Sequence, residues 1–333
     1  MKLYYLPIEP YETRYTKDWI TQFENEFKAH NIPFETILGT PVTQKIINGT
    51  VLDACGTHIY KFAQLDTIIK KINLGEIHDN DVIFFADAWF PGIESLFYIR
   101  NITNIKYKIY GIFHAGTYDN FDFTYKTGMR TWGKYFEASV FDGLDKIFVA
   151  TEFHKNLLCS KSICDGEKVI VTGIPFYADE LRKKYLPTNK ENILVFPHRL
   201  ETEKNPELFD KLCTYLRQEK VDFTPVKTLD VTKNRDEYFK ILAKSKVMVS
   251  FADQETFGYS TVESAALDNI VVVPNKLSYV ETIPTQYRYN NVDEAFKMVK
   301  NALQNYEIPS YNLTKWKYSI DNMLKEMNFY KEV

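Results

Sequence analysis

The chain has 333 residues, 45% of them hydrophobic and 26% charged, which excludes a disordered polymer and leaves room for two domains with separate cores. A formal net charge of −3 excludes a globally basic protein, so any contact with nucleic acid has to come from a local patch. No apolar run reaches the roughly 18 residues that a membrane-spanning helix needs, so none is expected.

Leu3–Leu6 is a short apolar strand closed by Pro7, unlike the apolar core of a signal peptide, and the expected location is the cytoplasm. Asp18–Ala29 carries amphipathic helical spacing, and Phe34–Leu38 reads as a second strand. Cys55–Leu74 is again helical, through Phe62, Leu65, Ile68, Ile69 and Ile72. Asp81–Phe85 predicts a buried strand, followed by a turn and a helix from about Ile93 to Arg100. Lys108–Phe113, Asp145–Ala150 and Val169–Val171 are further strands. Such alternation predicts a parallel sheet with helices on both faces.

The pattern restarts after Arg182–Lys190, a polar stretch with Pro187 that reads as a linker. Strands are predicted at Asn192–Phe196, Lys246–Phe251 and Ile270–Pro274, and helices at Pro206–Gln218, Arg235–Ala243, Ser260–Leu267 and Val292–Asn305. Thr314–Phe329 is amphipathic through Trp316, Ile320, Met323, Leu324 and Met327. The expected domains are 1–180 on the acceptor side and 190–312 on the donor side, with 313–333 crossing back to the first. Cys55, Cys159, Cys164 and Cys213 show no zinc spacing, so they read as reduced thiols and no metal is expected.

Two stretches carry chemistry. Glu255 and Glu263 bracket Thr256-Phe257-Gly258-Tyr259-Ser260-Thr261-Val262, a strand-to-helix turn built around glycine. A helix N-terminus there offers backbone N–H groups and a positive dipole end to a phosphate. Carboxylates on either side can accept hydrogen bonds from hydroxyls, the layout of a sugar nucleotide. Upstream, Arg199 and Lys204 lie on the loop after the Asn192–Phe196 strand; they can neutralise a diphosphate or can be an ordinary solvated basic loop.

In the first half, His114 ends a strand before Ala115-Gly116-Thr117, as a ligand contact or a satisfied loop residue. Asp87 also follows a strand, either to accept a hydrogen bond from the substrate or to cap the next helix. The loop Glu9–Thr16, with Tyr11 and Arg14, should border the acceptor side. Between Phe97 and Phe136, Arg100, Lys106, Lys108, Lys126, Arg130 and Lys134 are interleaved with aromatics, a pattern that suits nucleic acid or simply a charged outer face.

The Arg199…Lys204 loop followed by Glu255-x7-Glu263 resembles the donor-binding signature of retaining GT-B glycosyltransferases, particularly the family 4 group. The resemblance implies two Rossmann-like parallel-sheet α/β domains facing a central cleft. It implies that Arg199 and Lys204 hold the donor diphosphate and that Glu263 takes the ribose hydroxyls. Glu255, with the backbone of Phe257, Gly258 and Tyr259, would hold sugar and phosphate, and His114 would touch the transferred sugar. The donor would be a nucleoside-diphosphate sugar, expected to be a UDP-sugar, with no obligatory metal and no other cofactor. Pro7-Ile8-Glu9-Pro10-Tyr11 departs from the glycine-rich turn that many members have there. This opening resembles instead glycosyltransferase-like proteins of tailed bacteriophages, some of which decorate hydroxymethylated cytosine in DNA. That resemblance implies duplex DNA as acceptor and host cytoplasm as the compartment. Asp87, Arg14, Tyr11 and Arg130 are expected on the acceptor side. A cell-envelope saccharide, lipid or small-molecule acceptor is the alternative. A non-catalytic sugar-nucleotide binding module and a sugar-nucleotide epimerase are the readings from other classes.

Overall fold

The apolar runs of the first half become a six-stranded parallel sheet in the computed structural model, which describes residues 1–11, 14–41 and 53–330. Glu12 and Thr13, within the expected acceptor-side loop, lie outside the described residues. The strands are β1 (Leu3–Leu6), β2 (Phe34–Thr36), β3 (Val82–Phe85), β4 (Lys108–Ile112), β5 (Lys146–Val149) and β6 (Val169–Val171), in the order β2-β1-β3-β4-β5-β6. All pair in parallel, with Tyr5 opposite Phe84 and Phe84 opposite Tyr110. Strands covered on both faces need apolar side chains throughout, and every residue of β1 and β3 is buried.

The second sheet is also parallel. Its strands are β7 (Glu191–Phe196), β8 (Thr224–Lys227), β9 (Ser245–Val249), β10 (Ile270–Pro274) and β11 (Arg288–Tyr289), in the order β11-β10-β9-β7-β8. Leu194, Phe196, Val247, Val249 and Val272 meet Phe209, Leu212 and Leu216 of the helix Pro206–Gln218 and Val299 and Leu303 of the helix Val292–Gln304 in one core. Asn234 and Asn291 cap helix starts by accepting from the backbone N–H three residues on, from Glu237 and Glu294.

The chain divides into two compact units. One holds Met1–Ala150, His154–Pro175 and Tyr318–Val333; the other holds Thr151–Phe153 and Phe176–Lys317. The helix Ser319–Glu326 is fastened to the first unit by Ser319 Oγ donating to the Ile174 carbonyl (2.9 Å) and by the Lys146–Glu326 ion pair (2.6 Å). The stretch 182–190 is not a simple linker, since Arg182–Tyr185 completes the helix Ala178–Tyr185 of the second unit. That helix buries no residue, which is why its sequence is so polar. Among the described residues no helix is long and apolar enough to cross a membrane.

Candidate active site

In each sheet the strand order reverses at one place, and the loops leaving the two flanking strands at their carboxyl ends diverge there. In the second unit this place lies between β7 and β9. The loop after β7 carries Arg199 and Lys204; the loop after β9 carries Glu255 and Gly258 and runs into the helix Tyr259–Ala266.

The two loops are stitched together. Asp253 N–H donates to the Glu203 carbonyl (2.8 Å), and Asn205 Nδ2 donates to the Phe251 carbonyl (2.9 Å) and Asp253 Oδ2 (2.8 Å). Lys204, buried, gives its ammonium to the Gln254 carbonyl and stands 3.4 Å from Glu255 Oε2. Gly258 precedes the helix with φ +90, a left-handed conformation that glycine adopts without strain, and no side chain caps that helix. His198 joins the β7 loop to the helix start through Nδ1, 3.4 Å from Ser260 Oγ. Its Nε2 is buried and has no hydrogen-bond partner among the described residues. Burial first, and then the cations of Lys204 and Arg199, hold the imidazole well below its ordinary range.

Lys204 and Glu255 are therefore brought together, at 3.4 Å. The Arg199 side chain is 46% exposed, with Nη2 3.6 Å from Glu203 Oε1. Phe257 is buried, its ring edge-on to Trp316 at 4.9 Å and to Tyr259 at 5.0 Å, so its side chain packs and only its backbone can serve a ligand. Glu263 is buried and its carboxylate is already engaged: Oε1 accepts from Arg235 Nη2 (2.7 Å) and Oε2 from the Tyr238 hydroxyl (2.9 Å). Sequence reasoning missed Arg235, Tyr238 and His198. The helix Arg235–Lys244 was visible, but nothing in a linear sequence links it to a glutamate 28 positions later.

In the first unit the order reverses between β1 and β3. Gln64 pins the loop after β1 by donating to the Pro7 (2.9 Å) and Ile37 (2.8 Å) carbonyls. Tyr11 is buried and donates to Glu9 Oε2 at 2.6 Å; burial and that carboxylate push its hydroxyl up to about 12. The Arg14 guanidinium lies 4.8 Å from the Tyr11 ring centre.

Asp87 is half-buried. Its Oδ2 accepts from Lys61 Nζ (2.8 Å) and its Oδ1 from Trp89 N–H (3.1 Å). It does not cap the following helix, which starts only at Glu94. His114 Nε2 lies 2.8 Å from the Ala86 carbonyl, which requires the proton on Nε2, and its ring packs on Trp19 at 5.4 Å. Burial is the main cause of its lowered pKa.

The basic aromatic span splits in two. Arg100 and Lys108 both pair with Asp145, at 2.8 and 3.0 Å, and Tyr118 is buried. Lys126, Trp132, Lys134 and Tyr135 are exposed. Arg130 is half-buried, donating to the Thr117 carbonyl at 3.0 Å.

No family model matches the chain. It is similar to the tRNA-queuosine alpha-mannosyltransferase of Drosophila melanogaster, 31% identical over 132 residues that make up 32% of this chain and 35% of that protein. The chain thus spans about a third of the length of that relative. Among solved structures, sucrose-phosphate synthase from Thermosynechococcus elongatus superposes with a TM-score of 0.62 at 9% identity, over 98% of this chain and 94% of that one. HepE of Anabaena, crystallised with UDP and glucose, gives 0.56 at 10% identity, over 98% of this chain and 95% of that one. At such identities the likeness is one of fold: two parallel-sheet, Rossmann-like α/β units of the GT-B class.

Proposed function

We propose that the protein is a retaining glycosyltransferase that moves a sugar from a nucleoside-diphosphate sugar, with UDP as the nucleotide, to a hydroxyl on a modified nucleobase. The observation that carries this reading is the Lys204–Glu255 contact, 3.4 Å long, at the carboxyl ends of β7 and β9 where the strand order reverses. Lys204 and Arg199 offset the charge that grows on the departing diphosphate, and the uncapped helix start beside Gly258 adds backbone donors. Glu263 accepts the ribose hydroxyls while Arg235 and Tyr238 hold it in place.

Attack takes place on the face from which the diphosphate leaves. The bond from the anomeric carbon to the phosphate oxygen breaks, and its electron pair stays with the diphosphate. The acceptor oxygen bonds to the same carbon and passes its proton to the departing phosphate. In this reading His114 touches the transferred sugar and Asp87 serves the acceptor. The chain's own cations neutralise the diphosphate in this reading, so turnover persists in EDTA.

The likeness to an enzyme named for queuosine in tRNA favours a nucleobase acceptor in RNA. Hydroxymethylcytosine in DNA offers the same primary chemistry, an alcohol on a base. Thermal shift against UDP-, GDP- and ADP-sugars identifies the donor. Transfer of the labelled sugar is then scored on tRNA, on hydroxymethylated duplex DNA and on saccharides, and the anomeric configuration of the product is read by NMR. If no nucleotide sugar raises the melting temperature, the donor site is refuted. Transfer to saccharides alone removes the nucleobase acceptor.

A further inference from the structure

The helix Thr16–Ala29 carries the chain from the carboxyl end of β1 back to the amino end of β2, because the two strands are parallel. Its last turn therefore lies at the edge of the first sheet opposite the strand-end loops. His30 closes that turn through its backbone N–H, which donates to the Glu26 carbonyl at 3.1 Å. Residues four apart share a helix face, so the Glu26 and His30 side chains are neighbours. Asp321, in the first turn of the helix Ser319–Glu326, reaches the same spot from 291 positions further along the chain.

His30 Nε2 stands 2.9 Å from Asp321 Oδ1 and 3.8 Å from Glu26 Oε2, and the three atoms all lie within 4.8 Å of one another. Around a tetrahedral Zn²⁺ with bonds of about 2.0–2.2 Å, ligand atoms stand about 3.4 Å apart. The separations present here bracket that value, so small side-chain rotations bring all three atoms onto one ion. Among the described residues this is the one place where three histidine, cysteine or carboxylate ligands converge.

Charge and enclosure favour a cation at this point. Two carboxylates meet the C-terminal end of the Thr16–Ala29 helix, which carries the negative pole of its dipole. The three side chains are between 24% and 33% exposed, so an ion can enter without unfolding and can keep water on its open side. Tyr330 forms a wall: its hydroxyl donates to Asp321 Oδ1 at 3.3 Å and its ring stands edge-on to His30 at 4.8 Å. An imidazole ligand selects Zn²⁺ and similar ions over Mg²⁺ and Ca²⁺, which take oxygen ligands.

We propose that Glu26, His30 and Asp321 bind a borderline divalent cation of the Zn²⁺ class, which clamps the C-terminal helix to the helix Thr16–Ala29. The proposal is independent of the glycosyltransferase reading. Ten residues of helix, a rise of roughly 15 Å, separate Glu26 from Thr16, where the helix leaves the loop after β1. The ion is structural and takes no part in sugar transfer.

The test is calorimetric titration of the tag-free full chain with Zn²⁺ and Co²⁺ alone, with melting curves in Zn²⁺ and in EDTA. One ion per chain is expected, with a rise of about 2 °C or more in melting temperature at saturating Zn²⁺. Asp321→Asn keeps an oxygen for the His30 and Tyr330 hydrogen bonds but removes the charge, and His30→Gln keeps a side-chain donor for Asp321. Both are expected to weaken Zn²⁺ binding by at least the roughly tenfold that losing an outer partner of a metal ligand costs. Melting curves in EDTA show that the variants are folded, and sugar transfer by both is expected to match the wild type. Zn²⁺ binding retained in both variants would place the ion elsewhere and overturn the proposal. No binding by the wild type would overturn it as well, leaving the trio as an ion pair, and so would a melting response to Mg²⁺ equal to that to Zn²⁺.

Discussion

Arg235 Nη2 stands 2.7 Å from Glu263 Oε1, so the second glutamate of the Glu255–Glu263 motif is held from the side by a residue of the preceding helix. The carboxylate is buried, and Tyr238 takes its other oxygen at 2.9 Å. Burial and the neighbouring carboxylate together drive the Tyr238 hydroxyl well above its usual range, which keeps it a donor. Arg235→Ala would leave a buried charge with one fewer partner, at about 2–4 kcal/mol. Urea unfolding measures it. Adding Glu263→Gln to Arg235→Ala is expected to recover part of that loss, because the orphaned charge is gone. Equal stability of wild type and Arg235→Ala would mean that the pair does not hold the helix.

Arg199 and Lys204 separate two kinds of contribution. Both are expected to reduce turnover by roughly 100-fold or more when changed to alanine, if they stabilise the departing diphosphate. Only Lys204→Ala should also lower the melting temperature. Its side chain is 7% exposed and ties the two loops together, whereas that of Arg199 is 46% exposed. Single-turnover rates and thermal melts on the same samples distinguish the two. Full activity in Arg199→Ala would take that residue out of the mechanism.

The buried parallel strands were legible because such strands are spelled as unbroken apolar runs, and β1, β3 and β10 fall within a residue of where the sequence puts them. β8 was not legible: it lies at the edge of its sheet, holds Pro225 and buries none of its four residues fully. The two-residue β11 is too short to carry a pattern. At the site, residues sharing a loop or a helix turn were readable, which covers Arg199 to Lys204 and Glu255 to Glu263. Partnerships made by tertiary folding were not, so Arg235 with Glu263, Lys61 with Asp87 and Trp89 with Glu137 had no signal in the order of residues.

Gly258 tests the turn itself. A side chain at φ +90 is strained wherever it points, and a Cβ there would stand 3.4 Å from Glu255 Cγ and from the Tyr279 ring. Gly258→Ala is expected to destabilise by ~1–2 kcal/mol. It is also expected to weaken UDP binding more than the stability loss explains, because the helix start moves. Thermal shift at saturating UDP reads both. An unchanged response would show that the turn tolerates a β-carbon.

The buried histidines set the response to acid. His154 is fully buried, with Nε2 2.6 Å from the Tyr118 hydroxyl, and burial takes its pKa down to about 3. His198 is lowered for the same main reason. As pH falls below the unfolded value near 6.5, the unfolded chain takes up protons that the folded chain refuses. Stability is therefore complete above that pH and declines as pH falls, by up to about 1.4 kcal/mol per unit for each such histidine. Glu137, whose carboxyl burial raises, works in the opposite sense at lower pH, so the comparison belongs between pH 7.5 and 5.5. Urea midpoints should fall across that window in the wild type and fall less in His154→Asn, whose side chain takes up no proton. Parallel pH profiles for the two proteins would mean that His154 titrates alike folded and unfolded, and the decline would then have to come from other groups.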